Sequence, residues 1–556
     1  MVITILQEQR NRDGRKEKEK EQETGISRIG TEGEQKKTLL ELLRENGIYL
    51  DTPCNGRGSC GKCLVQYGSG APEPAEQEKK KLAEGKLREG WRLACVSVPT
   101  EDCEILVPTQ GQEEMAVETG FSCGEKKKGA VPSGQGYGVA LDIGTTTLAA
   151  ALIKISTGET CGNAVSVNHQ RAYGADVISR IKAAREGKAA ILQSCIREDV
   201  LALIEKLTAQ AQIAGEQIIF LVIAGNTTMC HLLLGYSCEG LGKAPFTPVD
   251  ISLQKKSWEE VFGNREYPAE VTVLPGFSAF VGADIVAGIY STDLCGRQQT
   301  NGGEILQRSS GEQKTSGEQG DSGESCALLL DIGTNGEMAL FAGDRLFVTS
   351  VAAGPAFEGG NISCGMAGVS GAVSRAVLFG RNRMVVKTVG NAKPEGLCGS
   401  GIIDVVYELV KHRFVDKNGI LRPEFFEKGY PVVKDSIYFT QEDIRQVQMA
   451  KAAIHAGIEL LLKAAGMQLS RVERVFLAGG FGTAIDIDKA AGIGLLPTEL
   501  RRKVTAVGNS ALAGAKCCLL EPEAGEKMAE LVKTAQEINL ALQPEFEETY
   551  LKRMQF

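Results

Sequence analysis

A chain of 556 residues, 43% hydrophobic, 24% charged and 6% aromatic, carries enough apolar sequence for three or four folded domains. Its formal net charge of −8 argues against nucleic acid as the main partner, and no apolar run approaches the ~20 residues of a membrane span. Residues 1–6 lack a basic-then-apolar leader, so a cytoplasmic protein is expected, where 16 cysteines do not read as a disulfide framework.

Residues 1–108 read as a small separate domain. A strand is expected at residues 2–6. A charged, apolar-poor segment, residues 7–37, reads as a solvated insertion. Residues 38–44 have helical spacing and stop at Asn46 and Gly47. Next, Cys54, Cys60 and Cys63 share a loop with Gly56, Gly58 and Gly61. Three thiolates on a glycine-rich loop can wrap a small cluster, and free backbone N–H groups donate to its sulfurs and favour the reduced state. Cys95 and Cys103 are the candidates for a fourth ligand. Four-cysteine zinc sites usually show two separated pairs. One loop of three plus a lone fourth favours a 2Fe–2S cluster.

Residues 109–136 form a polar, glycine-containing tether. Residues 137–296 open on a buried strand that ends in Asp142, Ile143, Gly144, Thr145 and Thr146, with a second strand-like run after it. Glycine lets the backbone approach an oxyanion, threonine supplies a hydroxyl and an N–H, and aspartate can orient magnesium or its waters. One such turn is weak evidence, because Asp and Gly also build ordinary hairpins. A third strand near residues 164–167, helices over 177–185 and 191–211, and a buried strand at 218–223 follow. Asn226 reads as a helix cap and His169 as a surface hydrogen-bonder. Asp284, opening a helix, reads equally as a phosphate-facing carboxylate or as an acid on the helix dipole.

Residues 297–325 are low in complexity and read as an exposed insertion. Residues 326–556 repeat the earlier pattern: Asp331, Ile332, Gly333, Thr334, Asn335, Gly336 and Glu337 follow an apolar run about 190 residues after the first copy. Two copies point to an internal duplication with a phosphate-bearing ligand between the halves. Gly399, Ser400 and Gly401 open a helix, suited to phosphate or ribose. Gly479, Gly480 and Phe481 end a short apolar strand, where glycine lets a base or ribose lie against the backbone. Glu358, in the small-residue loop 354–366, either positions water or metal or belongs to a tightly packed turn. Cys364 and Cys398 have no paired cysteines beside them and read as packing. A long amphipathic helix is expected over 442–469.

The turns at Asp142, Asp331 and Gly479 together resemble the actin, sugar-kinase and heat-shock-chaperone superfamily of ATPases. That resemblance implies two ribonuclease-H-like subdomains closing on ATP and Mg2+. The cysteine loop resembles the plant-type ferredoxin domain, a small β-grasp fold, so the whole is an α/β and α+β multidomain chain. Its spacing is Cys-x5-Cys-x2-Cys rather than Cys-x4-Cys-x2-Cys, as in the adrenodoxin-like branch. By this resemblance Cys95 is the fourth ligand.

Taken with Gly225-Asn226-Thr227-Thr228-Met229, Ala244-Pro245-Phe246 and Gly354-Pro355-Ala356-Phe357-Glu358-Gly359, the chain resembles the reductive activators of corrinoid enzymes. The implied activity is ATP-dependent reduction of a Co(II) corrinoid protein of a methyltransferase system to Co(I). An upstream low-potential electron donor is implied as well, and a homodimer is compatible with the pattern. Asp142 and Asp331 would hold Mg-ATP, with Thr145, Thr146 and Thr334 on the phosphates and Gly479, Gly480 and Phe481 flanking the nucleoside. Rival readings are an activator of 2-hydroxyacyl-CoA dehydratases, an electron donor to another low-potential acceptor, a metabolite kinase, and a chaperone-like clamp.

Overall fold

The computed structural model describes residues 2–7, 25–30, 37–46, 48, 50, 52, 56, 58, 61–107, 136–296, 325–380, 383–479 and 485–556. The N-terminal sheet comprises β1 (Val2–Gln7), β2 (Gly25–Gly30), β3 (Leu64–Ser69), β4 (Trp91–Leu93) and β5 (Cys103–Val107), in the order β2-β1-β5-β3-β4. β1 and β5 are parallel and the other pairs antiparallel. The helix Leu39–Glu45 lays Leu39, Leu40, Leu42 and Leu43 against Ile3, Ile5, Val65 and Ile105. Its start is fixed by a reciprocal cap: Glu41 N donates to Thr38 Oγ1 at 3.3 Å, and Thr38 N donates to the Glu41 carboxylate at 2.8 Å. This is the expected β-grasp.

β2 corrects the reading of residues 7–37 as wholly solvated. Gly25–Gly30 runs antiparallel along β1, from Gln7↔Gly25 to Val2↔Gly30. An edge strand needs only a backbone ladder to its neighbour, so two isoleucines, Ile26 and Ile29, among ionic residues gave no apolar pattern to read. Residues 8–24 and 31–36 lie outside the described residues. So do 109–135 of the tether and 297–324 of the low-complexity segment.

Two larger sheets carry the duplication. The first holds β6 (Tyr137–Ile143), β7 (Thr147–Lys154), β8 (Glu159–Val167), β9 (Ile218–Gly225), β10 (Gln254–Ser257) and β11 (Glu270–Val273), ordered β10-β11-β9-β6-β7-β8. The second holds β12 (Cys326–Ile332), β13 (Gly336–Ala342) and β14 (Arg345–Val351). Between these and its remaining strands lie a three-stranded sheet, β15 (Ala372–Phe379), β16 (Arg383–Thr388) and β17 (Gly396–Leu397), and a hairpin, β18 (Tyr430–Val433) and β19 (Ile437–Phe439). β20 (Val472–Ala478), β21 (Val504–Gly508) and β22 (Ala535–Glu537) complete the order β21-β20-β12-β13-β14-β22. In both sheets an antiparallel meander of three strands pairs its first strand in parallel with a later one, which pairs in parallel with the next. That shared topology is the ribonuclease-H-like unit, present twice.

The halves interlock. The helix Ala283–Ser291, which follows β11, and the helix Ser510–Leu520, which follows β21, pack against each other. A side chain at Gly514 would place its Cβ 2.3 Å from Ala287 O, so the crossing is closer than any larger residue allows. The Ser510–Leu520 helix also packs on β6, β7 and β9 of the first sheet. A single apolar core therefore mixes Ala140, Val222 and Ile285 with Leu329, Ala339 and Leu512. Among the described residues no helix is long and apolar enough to cross a membrane.

Candidate functional site

Asp142 lies one residue from the end of β6, opposite Ala149 on β7 and beside Ala224 on β9. Asp331 occupies the matching place on β12, opposite Glu337 on β13 and beside Ala478 on β20. The turns that follow close alike: Gly144 N donates to Thr147 O at 3.0 Å, and Gly333 N donates to Asn335 O at 2.9 Å. A Cβ at Gly144 would lie 2.7 Å from Thr147 O, which explains the glycine. Both turns meet Glu358, at the end of the short 3-10 turn Pro355–Glu358. Thr146 Oγ1 donates to Glu358 Oε2 at 3.0 Å and Thr334 Oγ1 donates to the same oxygen at 2.6 Å. Glu358 thus joins one hydroxyl from each half. Thr145 Oγ1 accepts from Asn226 Nδ2 at 3.0 Å, so its own proton is left for another acceptor. Behind that turn, the buried Arg180 guanidinium donates to Thr145 O and, through Nε, to Gly174 O at 2.9 Å.

Acidic groups crowd this cleft. Burial pushes the Asp142 carboxyl up to about 7, with Asp284 adding to it and a 2.7 Å hydrogen bond from Asn509 Nδ2 opposing it. Burial pushes Asp331 up to about 8, reinforced by Asp284, Asp142 and Glu358. Asp284 itself stands at about 6, again through burial, and Glu337 is raised by burial, Asp284 and Asp331. Carboxyls held this way keep protons near neutral pH until a cation takes their place. Among the described residues no three ligating side chains converge on a metal directly.

Asp284 reaches the cleft because Gly282 presses on the start of the helix that follows β9. A Cβ on Gly282 would sit 2.5 Å from Asn226 Cα. Asp284 stands in the first turn of the helix Ala283–Ser291, where its carboxylate accepts from Ile285 N at 2.9 Å, and its charge also bears on Asp142, Asp331 and Glu337. Glu337, Asn509, Arg180 and the second role of Asn226 were missed. Glu337 had a signal, since it stands two residues past Asn335 in an antiparallel hairpin; the other three are distant in sequence and single.

Gly479 is brought to the second turn. Its φ is +109°, and a Cβ there would be 2.6 Å from Ile332 O and 3.3 Å from Asp331 Oδ1. Gly480 and Phe481 lie outside the described residues. Gly399, Ser400 and Gly401 start the helix Gly399–Lys411. There the Ser400 hydroxyl donates to Ser374 O at 3.0 Å, and Gly401 packs so close to β15 that a Cβ would meet Val373 O at 2.0 Å. His169 pairs with the buried Asp199 through Nδ1.

In the N-terminal domain, the antiparallel pair Leu64↔Leu93 sets Cys63 and Cys95 at the same end of β3 and β4. Both are buried, and Ala94 N donates to Cys63 O at 2.9 Å. Gly56, Gly58 and Gly61 all have φ between +70° and +78°. A Cβ on Gly56 would lie 3.9 Å from Cys95 Cβ, so this glycine sits close to Cys95. Cys54 and Cys60 lie outside the described residues. Cys103 sits within β5, paired with Ile3, where burial raises its thiol to about 11.

A β-grasp cysteine cradle ahead of a duplicated actin-like core defines an iron–sulfur protein with an ATPase-type cleft. Residues 25–100 match the 2Fe-2S iron-sulfur cluster binding domain, residues 137–313 the RACo middle region, and residues 325–556 the C-terminal domain of RACo, the ASKHA domain. The chain is 32% identical over 448 residues to the corrinoid activation enzyme RamQ of Eubacterium limosum, covering 76% of this chain and 70% of that protein. It is 25% identical over 452 residues to the [Co(II) methylated amine-specific corrinoid protein] reductase of Methanosarcina barkeri, covering 76% of this chain and 77% of that one. The solved structure of a reductive activator for corrinoid, iron-sulfur protein superposes with a TM-score of 0.67 at 25% identity, covering 100% of this chain and 98% of that chain. The chain belongs to the family of reductive activators of corrinoid proteins.

Proposed function

We propose that this protein uses ATP to reduce the cobalt of a corrinoid protein from Co(II) to Co(I), restoring a methyltransferase system. Cys54, Cys60, Cys63 and Cys95 would hold a 2Fe–2S cluster, which would supply the one-electron chemistry: the electron cobalt gains would be the one the cluster loses, and an upstream low-potential donor would replace it. In the cleft, Asp142 and Asp331 orient Mg2+ and its waters. Thr145, Thr146 and Thr334, with the Gly144, Gly333 and Asn335 backbone, receive the phosphates. Gly479, Gly480 and Phe481 flank the nucleoside, and Gly399, Ser400 and Gly401 support the cleft from their helix.

The observation that carries this reading is Glu358 held by a threonine from each phosphate turn. Phosphate oxygens compete for both hydroxyls, so nucleotide frees Glu358 to orient the attacking water and changes how the halves meet. ATP has to act through such a geometric change. Plant-type clusters sit near −400 mV, a one-electron gap of ~59 mV is a tenfold equilibrium factor, and nucleotide shifts a balance only through differential binding.

The test is anaerobic mixing of the reduced protein with Co(II) corrinoid proteins, following the Co(I) absorption band with and without Mg-ATP. Co(I) that forms only with Mg-ATP supports the reading. ATP hydrolysis with an intact cluster and no Co(I) from any corrinoid partner would move it to another low-potential acceptor.

A further inference from the structure

The cysteine cradle rests against both halves of the ATPase core. Thr52 Oγ1 lies 3.4 Å from Ala172 O of the first half, and Lys62 Nζ donates to Gly365 O of the second at 3.2 Å. Between them stands Arg44, in the last turn of the helix Leu39–Glu45. Its Nη2 donates to Thr52 Oγ1 at 2.7 Å, and its guanidinium carbon sits 5.2 Å from the centre of the Tyr173 ring. The helix that carries it is bonded to the fourth-cysteine segment, Leu40 N donating to Ala94 O at 2.9 Å. The Arg44 guanidinium also feels the Cys63 and Cys95 thiols, which oppose the lowering of its pKa by burial.

We propose that Arg44 is a positioning residue that ties the potential of the iron–sulfur site to docking of its domain on the first ATPase half. The proposal rests on the cofactor reading above. Arg44 bonds to Thr52, two residues before Cys54, and its helix bonds to Ala94, next to Cys95; a cation fixed there stabilises an electron added to the site, and so raises its potential. The Tyr173 ring, 5.2 Å from the guanidinium carbon, gives the cation an aromatic partner on the first ATPase half. Tyr173 ends a loop that starts at Asn168. Asn168 N donates to Thr146 O at 2.9 Å and Asn168 Nδ2 donates to Gly144 O at 2.9 Å, both within the first phosphate turn. A change at that turn therefore reaches the ring beneath Arg44. Docked, the site is easier to reduce and accepts its electron from the upstream donor. Released, Arg44 is hydrated and loosely held, and the same electron leaves more readily.

The test is a potentiometric titration of full-length protein, read by the electron paramagnetic resonance signal of the reduced cluster. Arg44→Gln should lower the reduced-to-oxidised ratio at a fixed potential about tenfold, equivalent to ~59 mV. Arg44→Lys, which keeps the charge, should recover part of that shift. Tyr173→Leu should move the midpoint the same way by less, and adding Arg44→Gln to it should shift the midpoint less than in the wild type. An unchanged midpoint in Arg44→Gln with its signal intact would overturn the proposal. Strictly additive shifts would overturn the docking part. Should Arg44→Gln fail to hold its cluster, an unchanged midpoint in Tyr173→Leu, a change outside the cradle, overturns it too. A wild-type protein with no 2Fe–2S signal would instead refute the cofactor reading.

Discussion

Asp331→Asn should stabilise the nucleotide-free protein while abolishing its response to Mg-ATP. The Asp331 carboxyl stands at about 8 in the fold against an ordinary 3.8. A folded value raised above the unfolded one means that the unfolded chain releases the proton first, so the fold loses stability as pH rises from about 4 to about 8. At ~1.36 kcal/mol per pH unit the full cost above pH 8 is on the order of 6 kcal/mol as an upper bound. Asp142, Asp284 and Glu337 share the same protons, and a dielectric nearer 20 than 4 softens their repulsion. About 2 kcal/mol is a fair share for one substitution, or a Tm rise of ~2 °C at pH 8 for two halves that melt as one unit. At pH 5.5 the gain should fall below half of that, because less of the interval between the two pKa values has been crossed. Thermal melts at both pH values, with and without Mg-ATP, measure this. Wild type should gain ~2.7 kcal/mol from nucleotide at a hundred times its Kd, and the variant close to none. An Asp331→Asn protein that melts lower than wild type at pH 8 would refute the reasoning, since Asp331 would then be a structural anchor.

Three further outcomes follow from the same geometry. Glu358→Gln keeps both threonine contacts but loses the base, so ATP hydrolysis should fall ~10²-fold or more while Mg-ATP still protects the protein from heat; a loss of binding equal to the loss of rate would count against it. Cys95→Ser should strip the visible iron–sulfur spectrum, whereas Cys103→Ser, altering a buried strand residue, should leave it intact; spectra the other way round would reassign the fourth ligand. Mg-ATP affinity should tighten as pH rises from about 6 to about 8, because Asp284, Asp142 and Asp331 must shed protons at about 6, about 7 and about 8 to receive the metal. Calorimetry in buffers of different ionisation enthalpy should register the released protons, and a pH-independent affinity would show that these carboxyls stay out of the metal's reach.

Much of the site could be read because its parts are local. Asp142 with Gly144 and Asp331 with Gly333 are strand ends joined to tight turns, and each signature fits within a few residues. The cysteine loop is equally compact. What escaped notice was made by folding. Asn509 reaches Asp142 from 367 residues away, and Arg180 supports Thr145 from 35. Single polar residues like these look the same in sequence as any cap or surface charge. Asp284 was ambiguous for the same reason, because its nearness to Asp142 and Asp331 is made by packing between elements distant in sequence. β2 escaped because a backbone ladder needs no apolar face.

The duplicated scaffold carries an unequal chemistry, which bears on how the cleft works. Opposite Asp142 the hairpin places Ala149, whereas opposite Asp331 it places the buried Glu337. The second turn therefore holds two acids where the first holds one. Asp284 adds a third from a helix of the first half that packs against β12 and β13 of the second. Asn509 returns the exchange from the second half to Asp142. Neither half can assemble this charge alone, because each borrows a polar group from its neighbour across the crossing of Gly514 on Ala287. A crossing that tight leaves no slack for the halves to slide, so rotation about the two packed helices is the motion left to them. Such a rotation moves Glu358 of the second half against Thr146 of the first, whereas the Lys62–Gly365 contact ties the N-terminal domain to the second half across a separate boundary.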